Sequence, residues 1–228
     1  MTRSPIVKIC GVTTPEAVDA ALSAGADMLG FVIFEKSPRH LSLDVASRLA
    51  ARVGLRAARV LLTVDAPDDL IAAATRAVEA DFLQLHGHEP PERVAALRAA
   101  FDVKIIKALP VASPADLAAA APYEQIADML LFDAKAPPGA ALPGGNGASF
   151  DWRILQGLAT ARPWLVAGGL DAANVAEALR VSGAPGVDVS SGVERAPGVK
   201  DEAMIAAFLR AARGLDAPAR VSLARGTG

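Results

Sequence analysis

Short runs of apolar residues alternate with longer, alanine-rich segments of helical period along almost the whole chain. A strand buried in a parallel sheet is a short, nearly continuous apolar run, whereas a surface helix repeats its apolar residues every three to four positions. The short runs therefore predict eight strands, at residues 6–10, 27–33, 58–64, 81–86, 103–109, 128–132, 164–168 and 186–190.

A segment of helical period follows each predicted strand. These segments lie at residues 14–26, 43–54, 67–80, 90–101, 113–122, 150–159, 172–183 and 199–214. Thr14 before Pro15, and Ser113 before Pro114, are residue types typical of an N-cap and a first helical position. Eight strand–helix repeats predict an α/β fold, a single-domain (β/α)8 TIM barrel over residues 1–213. An open doubly wound sheet is the alternative, but no glycine-rich dinucleotide turn follows the first strand.

Two segments interrupt this alternation. Residues 133–150 are rich in proline and glycine and are much longer than a usual strand–helix connection. Because they follow a predicted barrel strand, we interpret them as a lid over the catalytic face. Residues 214–228 are mostly small and polar and predict a flexible C-terminal tail.

The composition excludes several classes of function. The 23 Lys and Arg and 25 Asp and Glu residues give a net charge of −2, and no stretch is strongly basic, so we expect no nucleic-acid partner. The single cysteine, Cys10, excludes an internal disulfide and a multi-cysteine zinc site. Neither a signal-peptide pattern nor an 18-residue apolar run occurs, which predicts a cytoplasmic protein without a membrane partner. Common cofactor-binding motifs are also missing, so we expect no metal and no cofactor.

Catalytic side chains of TIM barrels lie at the C-terminal ends of the strands and in the loops that follow. This rule selects reactive residues that would face one mouth of the barrel: Cys10, Arg39, His86, Lys107 and Asp133. His86 is compatible with a contact to substrate and equally with hydrogen bonds inside the barrel. Asp133 is compatible with a turn-forming role and with a general acid whose exposure the lid controls.

Strand parity places Lys8 and Cys10 on the same, inward face of the first strand. An ammonium close to a thiol favours the thiolate, which is the basic form. A small buried cysteine beside a structural lysine is the alternative, and spacing alone leaves both open. Asp188 shares its face of the last strand with Ser190, so it either holds a substrate group or pairs with a lysine such as Lys8.

The last two strand–helix turns predict a phosphate site. Gly168 and Gly169 stand just before a helix, and Ser190, Ser191 and Gly192 follow the eighth strand. Glycines let backbone N–H groups approach an anion, and barrels often bind phosphate with the loops after strands seven and eight. Ordinary tight turns are the alternative.

A set of motifs occurs in order along nearly the whole chain. They are KICGVT (8–13), GFVIFEKSPR (30–39), QLHG (84–87), FDAKAPPG (132–139), GGNGASFDW (144–152), AGGL (167–170) and GVDVSSGVERAPGVKD (186–201). In this set the chain resembles the phosphoribosylanthranilate isomerases of tryptophan biosynthesis. The resemblance implies a single (β/α)8 domain without metal or cofactor. It also implies an Amadori rearrangement of N-(5-phosphoribosyl)anthranilate to 1-(2-carboxyphenylamino)-1-deoxyribulose 5-phosphate.

The resemblance also implies roles for individual residues. Asp133 would be the general acid that protonates the ring oxygen to give a Schiff base, and Cys10 the general base that removes the C2 proton. Arg39 would hold the anthranilate carboxylate. The phosphate would be bound by Gly168, Gly169, Ser190 and Ser191.

Three other functions remain open from the sequence. A Schiff-base aldolase-type lyase would use Lys107 or Lys8 as its amine. A noncatalytic sugar-phosphate-binding barrel would need neither Cys10 nor Asp133. An isomerase of the related histidine-pathway aminoaldose would need two comparable phosphate sites, whereas the sequence has one such site and an arginine loop. The sequence does not determine the oligomeric state, although we favour a monomer.

Overall fold

Eight parallel strands close into a barrel. The computed structural model describes residues 4–136, 139, 142, 144, 145, 147 and 149–214. The strands are β1 (Ile6–Cys10), β2 (Met28–Val32), β3 (Ala58–Thr63), β4 (Phe82–Leu85), β5 (Lys104–Val111), β6 (Met129–Ala134), β7 (Trp164–Val166) and β8 (Gly186–Val189). Each strand pairs with the next, and β1 pairs with β8 to close the barrel. All eight predicted strands are present, and the predicted TIM barrel is confirmed.

The helices surround the barrel. They are α1 (Pro15–Ser23), α2 (Leu43–Val53), α3 (Asp68–Val78), α4 (Pro91–Ala100), α5 (Val175–Ser182) and α6 (Glu202–Ala212). Thr14 caps α1 as predicted, since its side chain accepts a hydrogen bond from the Ala17 N–H at 3.2 Å. After β8 the chain also forms a small antiparallel hairpin of β9 (Glu194–Ala196) and β10 (Val199–Lys200).

Two of the predicted helices take a different form. The connections after β5 and β6 contain 3-10 helices, at Pro114–Tyr123 and Trp152–Leu155. Pro122 lies inside the first, where it lacks the donor that an α-helix needs and crowds the preceding turn. The second follows the long loop and is only four residues long. The alanine-rich pattern therefore located both segments correctly but not their helix type.

Apolar side chains fill both sides of the strands. Outward residues such as Phe31, Leu83 and Phe132 pack under the helices. Inward residues close the lower part of the barrel: Met28, Val60, Ile106, Ala108, Met129, Leu131, Leu165 and Ala167. Above this plug lie Cys10, Val32 and Leu62. In the described part of the chain the barrel interior is therefore filled from below, and its C-terminal end is open for a site.

The sequence predicted that Asp133 follows the sixth strand. In the structure Asp133 lies within β6. The ladder between β5 and β6 continues to the pairs Pro110–Asp133 and Val111–Ala134. Asp133 shares the inward face of β6 with Leu131. Its carboxyl group is therefore held by a barrel strand, which gives it a more defined position than a turn would.

Helix α6 is the last described element of the chain. Helix α6 ends at Ala212, and residues 215–228 lie outside the described residues. The domain boundary at residue 213 and the flexible tail therefore stay predictions. In the described part of the chain, no helix has both the length and the apolar character needed to cross a membrane.

Candidate active site

A pocket opens at the C-terminal end of the barrel, where the strand ends meet. The predicted site residues that line it are Cys10, Arg39, His86, Asp133, Gly168, Gly169, Asp188, Ser190 and Ser191. Lys8 lies one inward position below Cys10 on β1 and is completely buried. Gly192 packs against Leu170, because a Cβ at residue 192 would overlap the Leu170 carbonyl. The nine lining residues are thus brought together around one cavity, whereas Lys8 and Gly192 lie behind its wall. The roles of all these residues stay predictions.

Cys10 occupies the last position of β1 and points inward. Its neighbour across the ladder is Gly30 on β2, and a Cβ at residue 30 would lie 2.9 Å from the Cys10 Sγ atom. Gly30 therefore provides the space that the thiol occupies. The sequence analysis did not identify Gly30, although the register of two neighbouring strands would have pointed to it.

Lys8 and Asp188 form a buried ion pair with Nζ and Oδ1 2.9 Å apart. Pairing with Lys8, one of the two alternatives for Asp188, is thus observed, while Asp188 also lines the pocket. Burial alone would lower the pKa of Lys8, but the opposing effects, of which attraction to the Asp188 carboxylate is the largest, outweigh burial, and the pKa is raised. Lys8 is therefore held as an ammonium, whereas Schiff-base chemistry needs a neutral amine.

The buried thiol of Cys10 is held in its protonated form. Burial raises its pKa, and Asp188 adds to this, while Lys8 and Lys200 act in the opposite direction and only partly compensate. Lys8 thus favours the thiolate, as the spacing suggested. The cost of burying a thiolate is larger than this effect, so the pKa is raised on balance.

This raised pKa predicts how Cys10 reacts with iodoacetamide. The thiolate is the reacting form, so the alkylation rate should keep rising with pH beyond about 8.5, the ordinary pKa of a cysteine. Because Cys10 is the single cysteine, mass spectrometry of the intact protein reports on it alone. The urea-unfolded chain is the control and should titrate near the ordinary value. A folded-state rate that levels off below pH 8 would contradict the direction of the shift.

Asp133 is linked to His86 across the mouth. The His86 Nε2 atom lies 3.2 Å from the Asp133 Oδ2 atom, and the other carboxyl oxygen accepts the Ala134 N–H at 2.9 Å. On its other side, His86 Nδ1 lies 2.8 Å from the Nε2 atom of Gln84, which is fully buried. His86 is therefore hydrogen-bonded inside the barrel, which was one of the two alternatives. It also lines the pocket, and its contact to substrate stays a prediction.

Two described glycines of the predicted lid, Gly144 and Gly145, lie against reactive side chains of the pocket. A Cβ at Gly144 would overlap His86 Nε2 and would lie 2.6 Å from Asp133 Oδ2. A Cβ at Gly145 would lie 2.6 Å from Arg39 Nη1. These residues thus place the segment over the catalytic face as predicted. Its residues 137, 138, 140, 141, 143, 146 and 148 lie outside the described residues.

Arg39 enters the pocket from the loop after β2. Its Nε and Nη2 atoms both lie 2.8 Å from carboxylate oxygens of Glu194, in β9, so the two side chains form a bidentate ion pair. The stem of Arg39 crosses Gly11, whose φ is +73°, and a Cβ there would lie 2.5 Å from the Arg39 Cδ atom. The sequence analysis identified Arg39 but not the partner that holds it.

The turns after β7 and β8 adjoin each other at the mouth, beside Cys10. Gly168 has a φ of +90°, and a Cβ at this position would lie 2.5 Å from the Ala134 Cβ atom. The Ser190 hydroxyl donates to the Cys10 carbonyl at 3.1 Å, and a 3-10 helix begins at Ser191. These turns therefore bring glycine backbone and serine hydroxyl groups to one corner of the pocket, close to Cys10.

Lys107 does not reach the pocket, contrary to our expectation. Ile106 and Ala108 point into the barrel, so Lys107 points outward to the helix layer. There its Nζ atom lies 2.6 Å from Glu89 Oε2 and 2.8 Å from the Gly87 carbonyl oxygen. A lyase that uses Lys107 as its amine is incompatible with this orientation.

Comparison with known proteins decides the family. The model of the N-(5'-phosphoribosyl)anthranilate isomerase family matches residues 7–211. The chain belongs to this family. An N-(5'-phosphoribosyl)anthranilate isomerase of Rhodopseudomonas palustris (strain BisB18) is 56% identical over 208 residues, which are 91% of this chain and 95% of the relative.

Solved structures of phosphoribosylanthranilate isomerases share the fold. The crystal structure of the Thermotoga maritima protein superposes with a TM-score of 0.82 at 34% identity, covering 92% of this chain and 99% of that chain. Another, solved in complex with reduced 1-(o-carboxyphenylamino)-1-deoxyribulose 5-phosphate, has a TM-score of 0.78 at 31% identity, with the same coverage. The matched range contains every residue that we placed at the mouth of the barrel.

Proposed function

We propose that this chain converts N-(5'-phosphoribosyl)anthranilate into 1-(o-carboxyphenylamino)-1-deoxyribulose 5-phosphate by an Amadori rearrangement. The observation that carries the proposal is the joint placement of Cys10 and Asp133. A thiol and a carboxyl group line the same pocket, between an arginine and a pair of glycine- and serine-containing turns, in a chain of this family. The reaction needs one group to donate a proton and one to accept a proton, and this pair supplies both.

Asp133 acts as the general acid in the first step. It donates a proton to the ribose ring oxygen while the bond between C1 and that oxygen breaks. The anthranilate nitrogen supplies the electron pair for the new C1–N double bond, which gives a protonated Schiff base. His86 lies 3.2 Å from Asp133 Oδ2 and orients the carboxyl group on the inward face of β6.

Cys10 acts as the general base in the second step. It takes the C2 proton, the C–H electrons form a C1–C2 double bond, and the nitrogen regains its electron pair, giving an enolamine. The enolamine then becomes the ketone by losing its C2 hydroxyl proton and gaining a proton at C1. The raised pKa of Cys10 makes the thiolate scarce but strongly basic, and the positive Schiff base makes the C2 proton more acidic.

The two charged ends of the substrate bind to different groups at the mouth. Arg39 binds the anthranilate carboxylate, and Gly168, Gly169, Ser190 and Ser191 bind the phosphate, with Gly192 shaping their turn. The bound substrate is thereby held with its reacting carbons between acid and base, which lowers the entropic part of the barrier. The proposed site has one group of phosphate-binding turns and one arginine. It therefore fits a substrate with one phosphate and one carboxylate better than the bisphosphate substrate of the histidine-pathway reaction.

Replacing Arg39 by alanine should raise KM by at least about tenfold, because a desolvated charge-assisted pair with the substrate carboxylate is lost. The value of kcat should fall less, since neither Asp133 nor Cys10 is altered. Steady-state kinetics with the purified variant measure both constants. Arg39→Lys keeps the charge but not the planar fork and should also raise KM. An unchanged KM in both variants would contradict the assignment.

Genetic complementation tests the proposed activity. The gene should restore growth without tryptophan to a bacterial strain that lacks phosphoribosylanthranilate isomerase. It should not restore growth to a strain that lacks the histidine-pathway aminoaldose isomerase. Failure in the first strain with the protein expressed in folded form would refute the proposal, and rescue of the second strain alone would favour the histidine-pathway reaction.

Several expectations from the sequence are not tested by the fold or the family. A cytoplasmic location, a monomeric state and the lack of a nucleic-acid partner stay predictions. Sedimentation or light scattering of the purified protein measures the oligomeric state directly.

A further inference from the structure

The hairpin of β9 and β10 lies beside the mouth and carries side chains to which the mechanism above gives no role. Glu194 opens β9 and Lys200 ends β10, and they are opposite each other in the ladder. Both side chains are buried, and the Lys200 Nζ atom lies 2.7 Å from Glu194 Oε1. Burying two charged side chains costs desolvation free energy, which good pairing and further hydrogen bonds must offset. We therefore looked for a function of this pair.

We propose that Glu194 is a positioning residue for substrate binding, which fixes Arg39 so that a single edge of its guanidinium faces the substrate carboxylate. The inference rests on the proposed function, because it assigns Glu194 to the carboxylate end of that substrate. Lys200 holds Glu194 in place. Its positive charge also compensates for the charge of Glu194, which would otherwise cancel that of Arg39.

The hydrogen bonds of Arg39 define which edge is available. The Glu194 carboxylate accepts hydrogen bonds from Nε and Nη2, both at 2.8 Å, and the Gly145 carbonyl oxygen lies 3.5 Å from Nη2. Among the described residues, Nη1 has no hydrogen-bond partner. Arg39 lines the pocket, and Glu194 holds its guanidinium group in one orientation before the substrate arrives. The substrate carboxylate is assigned to the Nη1 edge, which these bonds leave available. Preorganisation of this kind lowers the entropic cost of binding.

Lys200 explains how an arginine that is already paired can still attract a carboxylate. Arg39 and Glu194 alone would have no net charge. Lys200 brings the cluster of these three side chains to a net charge of +1, which one substrate carboxylate neutralises. Its ammonium is directed by three acceptors: Glu194 Oε1 at 2.7 Å, the Ser190 carbonyl oxygen at 2.9 Å and Ser190 Oγ at 3.3 Å.

The backbone of the hairpin, at Gly198, contacts both Glu194 and the loop that carries Arg39. Gly198 has a φ of +80°, and a Cβ there would overlap the carbonyl oxygen of Pro38, the residue before Arg39. The Gly198 N–H donates to Glu194 Oε2 at 3.2 Å, and its carbonyl oxygen accepts the Thr13 hydroxyl at 2.9 Å. The hairpin is thus tied both to the loop that carries Arg39 and to the loop after β1.

The test compares two ligands that differ in the carboxylate. The first is reduced 1-(o-carboxyphenylamino)-1-deoxyribulose 5-phosphate, and the second is the reduced phenylamino compound without the carboxyl group. Titration calorimetry gives Kd for both with the wild type and with Glu194→Gln. We expect the variant to bind the carboxylate-bearing ligand at least about tenfold more weakly, and the other ligand within about twofold of the wild type, because only the contact to the carboxylate is disturbed.

A second variant separates orientation from net charge and removes a possible folding problem. Glu194→Gln alone leaves Lys200 buried without a carboxylate and raises the net charge of the cluster to +2. Combining Glu194→Gln with Lys200→Met removes the unpaired ammonium and restores the wild-type net charge of +1. Because Lys200 also contacts Ser190, the double variant is measured with both ligands. If orientation is what matters, it still loses more affinity for the carboxylate-bearing ligand than for the ligand without the carboxyl group. Wild-type affinity in the double variant would mean that net charge alone matters and would overturn the proposal.

The control is an equivalent pair away from the site. Glu177 and Arg180 of α5 also form a two-bond ion pair, at the protein surface. Glu177→Gln should change neither Kd. Equal weakening of both ligands by Glu194→Gln would indicate a purely structural role and would overturn the proposal, as would no weakening at all. Failure of the wild type to bind the carboxylate-bearing ligand would instead refute the proposed function itself.

Discussion

Replacing Cys10 by alanine should lower kcat by at least about 100-fold, since a positioned general base contributes roughly 10²- to 10⁴-fold. The barrel should remain intact, because alanine is smaller than cysteine and the neighbouring Lys8–Asp188 ion pair does not depend on the thiol. Initial rates at saturating substrate measure kcat, and thermal unfolding checks the fold. KM should change little, because Arg39 and the phosphate turns are untouched.

Cys10→Ser is the matched variant for this prediction. A hydroxyl group fits the space beside Gly30 but is a far weaker acid than a thiol, so it cannot form the anionic base near neutral pH. The serine variant should therefore be nearly as inactive as the alanine variant. Wild-type turnover in either variant would show that another group removes the C2 proton.

Replacing Asp133 by asparagine should also lower kcat by at least about 100-fold, because the amide cannot donate a proton to the ring oxygen as an acid does. Asparagine keeps the size of the side chain and an oxygen for the Ala134 N–H, so β6 should be undisturbed. The measurement is again kcat at saturating substrate. Binding of the reduced product should persist, which separates loss of chemistry from loss of the site.

The opposite end of β6 provides the control for Asp133→Asn. Asp128 immediately precedes β6, where it accepts the Ile105 N–H at 2.8 Å and pairs with Arg98. Asp128→Asn makes the same chemical change at the closed end of the barrel and should leave kcat within about twofold of the wild type, although it removes an ion pair. If both variants lost activity equally, the effect of Asp133→Asn could not be assigned to proton donation.

The sequence predicted the fold well because each strand–helix repeat carries its own signal. The apolar runs gave all eight strands to within two residues at each end, since strands buried on both faces are short and continuous. The same continuity hides which residues point inward. In the run around β5 both faces are apolar, so parity did not reveal that Lys107 points to the helices and pairs with Glu89.

The site was predictable only as far as strand ends determine it. The rule for barrel strands located Cys10 and Asp133, but the bond between His86 and Asp133 joins residues 47 positions apart and depends on side-chain geometry. The net shift in the pKa of Cys10 depends on depth of burial, which a spacing of two residues from Lys8 does not reveal. The role of Glu194 depends on a hairpin that folds back onto another loop.

The rate at which the protein consumes phosphoribosylanthranilate tests the central claim most directly. The unstable substrate is generated in place from anthranilate by anthranilate phosphoribosyltransferase, and loss of its fluorescence is followed with and without the wild-type chain. We predict a fast, enzyme-dependent decay whose rate is proportional to enzyme concentration. A decay no faster than the spontaneous breakdown of the substrate, with correctly folded protein present, would contradict the account.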